Sequence, residues 1–241
     1  MSLNTSLMKF LKKIKFSIFF LLLCSILFLI IFFVNRFFLI KNIHLISDKK
    51  LSLVNKDKLI NKSSLFINQE QIAKIIIKEN FLLKSATVEK VWPDTLKISV
   101  TFYEPCALLV VNNGFFNLSC DGRILQKVKD VKSFLPIINY YQKLNKNSFQ
   151  TGDWINYRDI KQTLFFVERL KQINLVALTI DIKGQDMLVF KLIDNKEIVF
   201  SSNKDEEVQD YQLELIVRQF KIEGKEFKKI DLRFEKPVIT F

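Results

Sequence analysis

The only histidine in the chain, His44, is the first residue to weigh as chemistry, because imidazole is the commonest general base and metal ligand near neutral pH. It lies in Lys41-Asn42-Ile43-His44-Leu45-Ile46, with no acid or nucleophile beside it, and reads as a strand residue. One histidine and scattered carboxylates cannot assemble the usual zinc sets of His and Cys. No Gly-rich phosphate loop, nucleophile elbow or HExxH pair occurs. Folding could bring the carboxylates Asp121 and Asp231 together for acid–base work, but nothing in their spacing calls for it, and Asp121 before Gly122 has the form of a turn residue. The residues point to no catalytic set, cofactor, metal or small-molecule substrate.

Two cysteines, Cys106 and Cys120, stand on either side of Asn112-Asn113-Gly114, a turn sequence in which Asn and Gly accept positive φ. A hairpin folded about Asn113 sets the two directly opposite each other, close enough for a disulfide. Two free, buried thiols fit the same sequence, so both states remain open. The third cysteine, Cys24, is a small filler within an apolar run.

That run, Phe16 to Val34, is 19 uncharged residues long. As a helix it extends about 28 Å, near the thickness of a hydrocarbon core, and only a helix satisfies its backbone there. It is longer than the apolar region of a signal peptide, and Asn35-Arg36-Phe37-Phe38 follows in place of a small-x-small cleavage site, so an uncleaved anchor is expected. Lys9, Lys12, Lys13 and Lys15 crowd its N-terminal side with no acid in the first 35 residues, which predicts a cytoplasmic N-terminus and a large extracytoplasmic part.

The net charge of +12 raises the question of nucleic acid. Only six of the 37 basic residues are arginines, and the lysines are scattered rather than clustered, so no nucleic-acid partner is expected. With 49% hydrophobic residues the exported part is a folded one.

The elements that would carry any site follow from periodicity and punctuation. Lys41 to Ile46 alternates as a strand, and a polar stretch leads from it to Leu65-Phe66-Ile67. Asn68 with Gln71 resembles a capping box, and Ile72, Ile75 and Ile76 at helical spacing predict a helix over 69–80. Leu83 to Val91 and Thr95 to Phe102 read as strands joined by Trp92-Pro93-Asp94, with Glu104-Pro105 as a boundary. Next come a hairpin, Ala107 to Val111 with Phe115 to Leu118, and a turn at Asp121-Gly122. A helix is expected over Arg158 to Ile173, followed by strands Val176 to Ile182, Met187 to Ile193 and Glu197 to Ser201. A second helix opens on Asp205-Glu206-Glu207, with acids at its positive end, and runs to about Lys221. Strands Ile230 to Phe234 and Val238 to Phe241 close the chain. The class is α+β, with antiparallel pairing wherever hairpins are evident.

In this order the motifs resemble the bacterial cell-division family FtsQ, called DivIB in Gram-positive bacteria. Ser64-Leu65-Phe66-Ile67-Asn68 precedes the first helix. Val88-Glu89-Lys90-Val91-Trp92-Pro93-Asp94-Thr95-Leu96-Lys97-Ile98-Ser99-Val100 is similar to the family's V-x-R-x-x-P-x-T-L-x-I-x-V run at the end of its POTRA domain. Pro105-Cys106-Ala107, Asp121-Gly122-Arg123-Ile124 and Ile230-Asp231-Leu232-Arg233-Phe234 resemble its later motifs. Phe102-Tyr103 stands where the family usually has Glu-Arg, Lys62-Ser63 replaces a glycine, and Asp121-Gly122 is a tighter turn.

The resemblance implies a cytoplasmic tail over 1–15, an anchor over 16–38, a POTRA-type β-α-β-β domain over 39–105 and a larger strand-rich antiparallel domain over 106–241. It implies a non-enzymatic scaffold of the division machinery, a single-pass protein of the cell (inner) membrane expected at the division site, with FtsB- and FtsL-like proteins as partners. The implied mode is strand addition at the C-terminal sheet edge, carried by Arg233, Phe234, Val238, Ile239, Thr240 and Phe241. Arg233 would meet partner carboxylates, and Phe234 and Phe241 would serve as apolar anchors or fill the core. The alternatives are another POTRA-bearing envelope-assembly or secretion factor, which would carry repeated POTRA units or barrel strands, and an anchored wall enzyme, which would need a catalytic set.

Overall fold

The computed structural model describes residues 3–47, 49, 59–131, 134–184 and 186–241, with side chains from residue 18 onward. Part of the polar stretch expected after Ile46 lies outside these residues. The chain divides into two compact units, Met1–Thr101 and Phe102–Phe241.

The first unit begins with helix α1, Leu3–Phe37. Its segment Ile18–Phe37, 20 residues with no part buried, is long and apolar enough to cross a membrane and is the one such helix among the described residues. Strands β1 (Asn42–Ile46), β2 (Leu83–Val91) and β3 (Thr95–Phe102) form a sheet in the order β1-β3-β2, with helix α2 (Gln69–Glu79) between β1 and β2 in sequence. β1 runs parallel to β3, Asn42 opposite Thr95. The Asn68 side chain accepts from the Gln71 N–H at 3.2 Å, satisfying one of the orphan donors at the start of α2. Ile72 and Ile76, one turn apart, are buried, and α2 packs on β2. Alternation along β3 buries Leu96, Ile98 and Val100 beside Ile40, Leu83 and Val88.

The second unit is built on strands β4 (Pro105–Val111), β5 (Gly114–Ser119), β6 (Ile124–Val128), β7 (Ile137–Tyr140), β8 (Ala177–Lys183), β9 (Met187–Leu192), β10 (Glu197–Ser201), β11 (Lys229–Asp231) and β12 (Val238–Thr240). Their order in one sheet is β12-β11-β10-β9-β8-β7-β4-β5-β6. Each sequential hairpin is antiparallel, as expected, while the pairs β4·β7, β7·β8 and β10·β11 are parallel. Helices α3 (Arg158–Gln172) and α4 (Glu206–Glu223) pack against each other and are joined by Arg169 and Asp210, 2.6 Å apart. The Asp205 side chain caps α4 by accepting from the N–H groups of Glu207 and Val208. Buried Gln209 bonds both the N–H and the carbonyl of Ser201, which ties α4 to the end of β10 without an unmet polar group in its amide pairing to that strand.

Phenylalanines fill the centre of this unit. Phe166 of α3 stacks on Phe200 of β10 at 3.8 Å, and Phe190 of β9 meets Phe200 edge-on at 5.1 Å. Around them lie Leu109, Leu118, Ile180, Ile198, Leu164, Leu213 and Ile230, all almost fully buried.

The β4–β5 hairpin differs from expectation by one residue. Only Asn112 and Asn113 form the turn, and Gly114 already pairs with Val111. Gly114 is needed for a reason beyond its φ of +135°, since a Cβ there would lie 2.4 Å from the Val128 carbonyl oxygen. In this register Cys106 and Cys120 are not directly opposed. A bulge between Pro105 and Ala107 shifts the pairing again and leaves their Cα atoms 5.0 Å apart, joined by a disulfide.

Candidate functional site: the C-terminal sheet edge

The end of the chain is held in place by three local devices. Leu232 donates its N–H to the Val199 carbonyl at 2.8 Å, which ends the parallel pairing of β11 with β10. Lys204 then reaches over from the start of α4 and donates to the carbonyls of Leu232 (3.0 Å) and Phe234 (2.8 Å). Gln212 of α4 donates to the Glu235 carbonyl at 3.3 Å. With these carbonyls bonded to side chains, the backbone over 233–236 bends instead of continuing a ladder. The expected strand Ile230 to Phe234 is therefore corrected to Lys229–Asp231, and β11 lies inside the sheet rather than at its edge.

β12 is the edge. It pairs antiparallel with β11, Ile230 opposite Ile239, and stands last in the strand order with no strand beyond it among the described residues. The opposite end of the sheet is partly covered. The Gly152 N–H bonds the Ile124 carbonyl, the Ile124 N–H bonds the Asp153 carbonyl, and the Lys146 ammonium caps the Val128 carbonyl at 3.0 Å. Of the two ends, the outer side of β12 is the one left open to a partner backbone.

The six expected partner-binding residues fall into three situations. Val238 and Thr240 of β12 are exposed, while Ile239 between them is half-buried and packs on the core. Phe241 is exposed but holds its ring 5.7 Å from that of Phe220 on α4, so it extends the apolar surface behind β12. Arg233 and Phe234 lie in the bend. The Arg233 guanidinium grips Asp231 with Nε to Oδ1 at 2.9 Å and a terminal nitrogen to Oδ2 at 2.7 Å, and sits 5.5 Å over the ring of exposed Phe234. Arg233 is thus committed within its own chain.

Asp231 is almost fully buried. Burial pushes its carboxyl up, but the Arg233 guanidinium and backbone N–H more than offset this and hold it below the ordinary carboxylate value. The hydrogen bond to Asp231 raises Arg233 in turn. This carboxylate is paired with Arg233 and also feels the Lys229 ammonium, which fits a structural anion. Among the described residues no cluster of three His, Cys, Asp or Glu side chains could hold a metal ion, and His44 is an exposed residue of β1.

Lys204 and Gln212 had no signal in the sequence, since their partners are carbonyls at least 23 positions away.

Comparison with known proteins bears on the first unit. The family profile described as "POTRA domain, FtsQ-type" matches residues 38–101. No curated protein matches the chain. Among solved structures, the chain is similar to the major extracytoplasmic domain of the cell-division protein DivIB from Geobacillus stearothermophilus, in its trans isomer. That similarity has 17% identity and a TM-score of 0.28, and covers 42% of this chain and 81% of that one. Over residues 38–101, therefore, the chain carries a POTRA domain of the FtsQ type.

Proposed function

We propose that the chain is a non-enzymatic scaffold of the division machinery, anchored in the membrane by α1, that holds an FtsB- or FtsL-type membrane partner by adding the partner's strand to β12. The large part lies on the extracytoplasmic side, with Lys9, Lys12, Lys13 and Lys15 inside. The observation that supports this reading most directly is the open outer side of Val238–Thr240, next to exposed Val238, Thr240 and Phe241. Main-chain hydrogen bonds would give such a complex its register, and the side chains on alternate positions its specificity. Arg233 supports the site by fixing the bend that delivers β12 to the edge.

A pair of substitutions tests this. Ile239→Val keeps the N–H and most of the packing, and should bind the partner within a few-fold of wild type. Ile239→Pro removes a backbone donor and stiffens the strand, and should weaken binding on the order of tenfold or more. Cysteines placed at Val238 and Thr240 should crosslink to partner positions two residues apart. Wild-type affinity in Ile239→Pro, or crosslinks without that spacing, would exclude strand addition.

A further inference from the structure

We infer that the end of the POTRA domain nearest α1 is itself a lipid-binding surface, with Trp92 and Phe66 seated in the headgroup region of the bilayer. The inference rests on α1 being a membrane span. Its apolar segment ends at Phe37, and Phe38 continues the last turn by donating its N–H to the Val34 carbonyl. The Phe38 ring meets Phe37 on one side and Trp92 on the other, each at 5.3 Å and edge-on. The indole is therefore one ring away from the last residue of the span.

Two further segments are tied to the same point. Ser64 donates its N–H to the Phe38 carbonyl at 2.8 Å and its hydroxyl to the Pro93 carbonyl at 3.0 Å. Lys41 donates its N–H to the Asp94 carbonyl at 2.9 Å. The loop before α2 and the β2–β3 turn thus share the residues that leave the helix. They carry large aromatic side chains that the domain core does not use: Phe37 is 61% exposed, Trp92 56% and Phe66 82%. In water such a cluster is a cost, whereas at a membrane–water boundary it is a favourable placement for indole and phenyl rings.

The surrounding charge fits the same surface. Lys90 holds its ammonium 5.9 Å from the Trp92 ring and 3.5 Å from the Leu65 carbonyl. Lys62 is exposed in the loop, and Lys41 is exposed beside Asp94. Lysines on long stems around buried aromatics match anionic phosphates above acyl chains. The rings below and the ammonium groups above would fix the tilt of the domain on the bilayer, which a single helix end leaves free.

The chain contains two tryptophans, Trp92 and Trp154, so Trp154→Phe leaves one reporter at the site. The full chain carrying that substitution is reconstituted into phosphatidylcholine–phosphatidylglycerol vesicles, floated after an alkaline wash, and its emission quenched. Lipids brominated near the headgroup should quench Trp92 about twofold more than lipids brominated near the chain ends, and aqueous acrylamide should reach it poorly. In Trp92→Phe the remaining Trp154 should show neither response. Protein that floats while Trp92 answers to acrylamide and not to bromolipid overturns the inference and leaves the anchor standing. Trp92 that becomes shielded only when a protein partner is added overturns it in favour of that partner. Protein that fails to float removes the anchor reading and the inference together.

Discussion

Asp231 shows how one ion pair can position an edge without belonging to it. Its carboxylate lies below the ordinary value of about 3.9 because the gain from Arg233 exceeds the cost of burial. A carboxyl depressed in the folded chain stabilises the fold at pH above its unfolded value, and that contribution is lost as pH falls through the folded value. Asp231→Asn keeps the shape, removes the charge and leaves Arg233 without its anion, at a cost of about 1–3 kcal/mol at pH 7. In urea titrations the gap between wild type and the variant should be full at pH 7 and narrow as pH falls from the unfolded carboxylate value of about 3.9 through the lower folded value of Asp231, since asparagine does not titrate. A gap of constant size across that range would mean that packing, and not the ion pair, holds the bend.

At the scale of elements, legibility followed the range of the forces involved. Helix α2 was readable from Asn68, Gln71 and the isoleucine spacing, and α4 from Asp205, because caps and amphipathic faces are written within a few residues. Strand β3 was readable from its alternation. Strands β6 and β7 were not part of the expectation. Ile137–Tyr140 is four residues with no alternation of its own, and it exists through parallel pairing with β4 on one side and β8 on the other. The end of β11 was misread because Lys204, 28 positions before Leu232, decides where the ladder stops. The edge character of β12 was expected from the family resemblance, whereas the internal commitment of Arg233 needed coordinates. The Cys106–Cys120 bond forms between residues that are not directly opposed, because the shorter turn and the bulge shift the register in the same direction yet leave the two Cα atoms 5.0 Å apart. That disulfide closes a loop with a separation of 14 residues, so replacing both cysteines with alanine should cost about 3 kcal/mol. Reductant should lower the melting temperature of wild type, by about 2–4 °C per kcal/mol, and leave the double variant unmoved. Equal melting of wild type with and without reductant, together with two free thiols by mass, would exclude the bond.

On the scale of the whole molecule, the proposed reading gives the two units different tasks, one at the membrane and one toward a partner. The POTRA domain follows directly on α1 and carries the exposed aromatic cluster inferred to meet the bilayer, while the second unit carries a sheet whose last strand is β12. The proposed scaffold role depends on where the chain sits and on what it holds. On that reading, a fluorescent fusion to the Met1 end should form a band at the site of constriction in dividing cells. The Ile239→Pro fusion separates the two tasks. If recruitment depends on the anchor and POTRA unit, the variant still forms the band but fails to bring the strand-donating partner there. If the partner recruits this chain, the variant spreads around the membrane. Wild-type fluorescence that stays uniform through constriction would remove the division role and favour an envelope-assembly factor, because a scaffold that never reaches the septum cannot organise it.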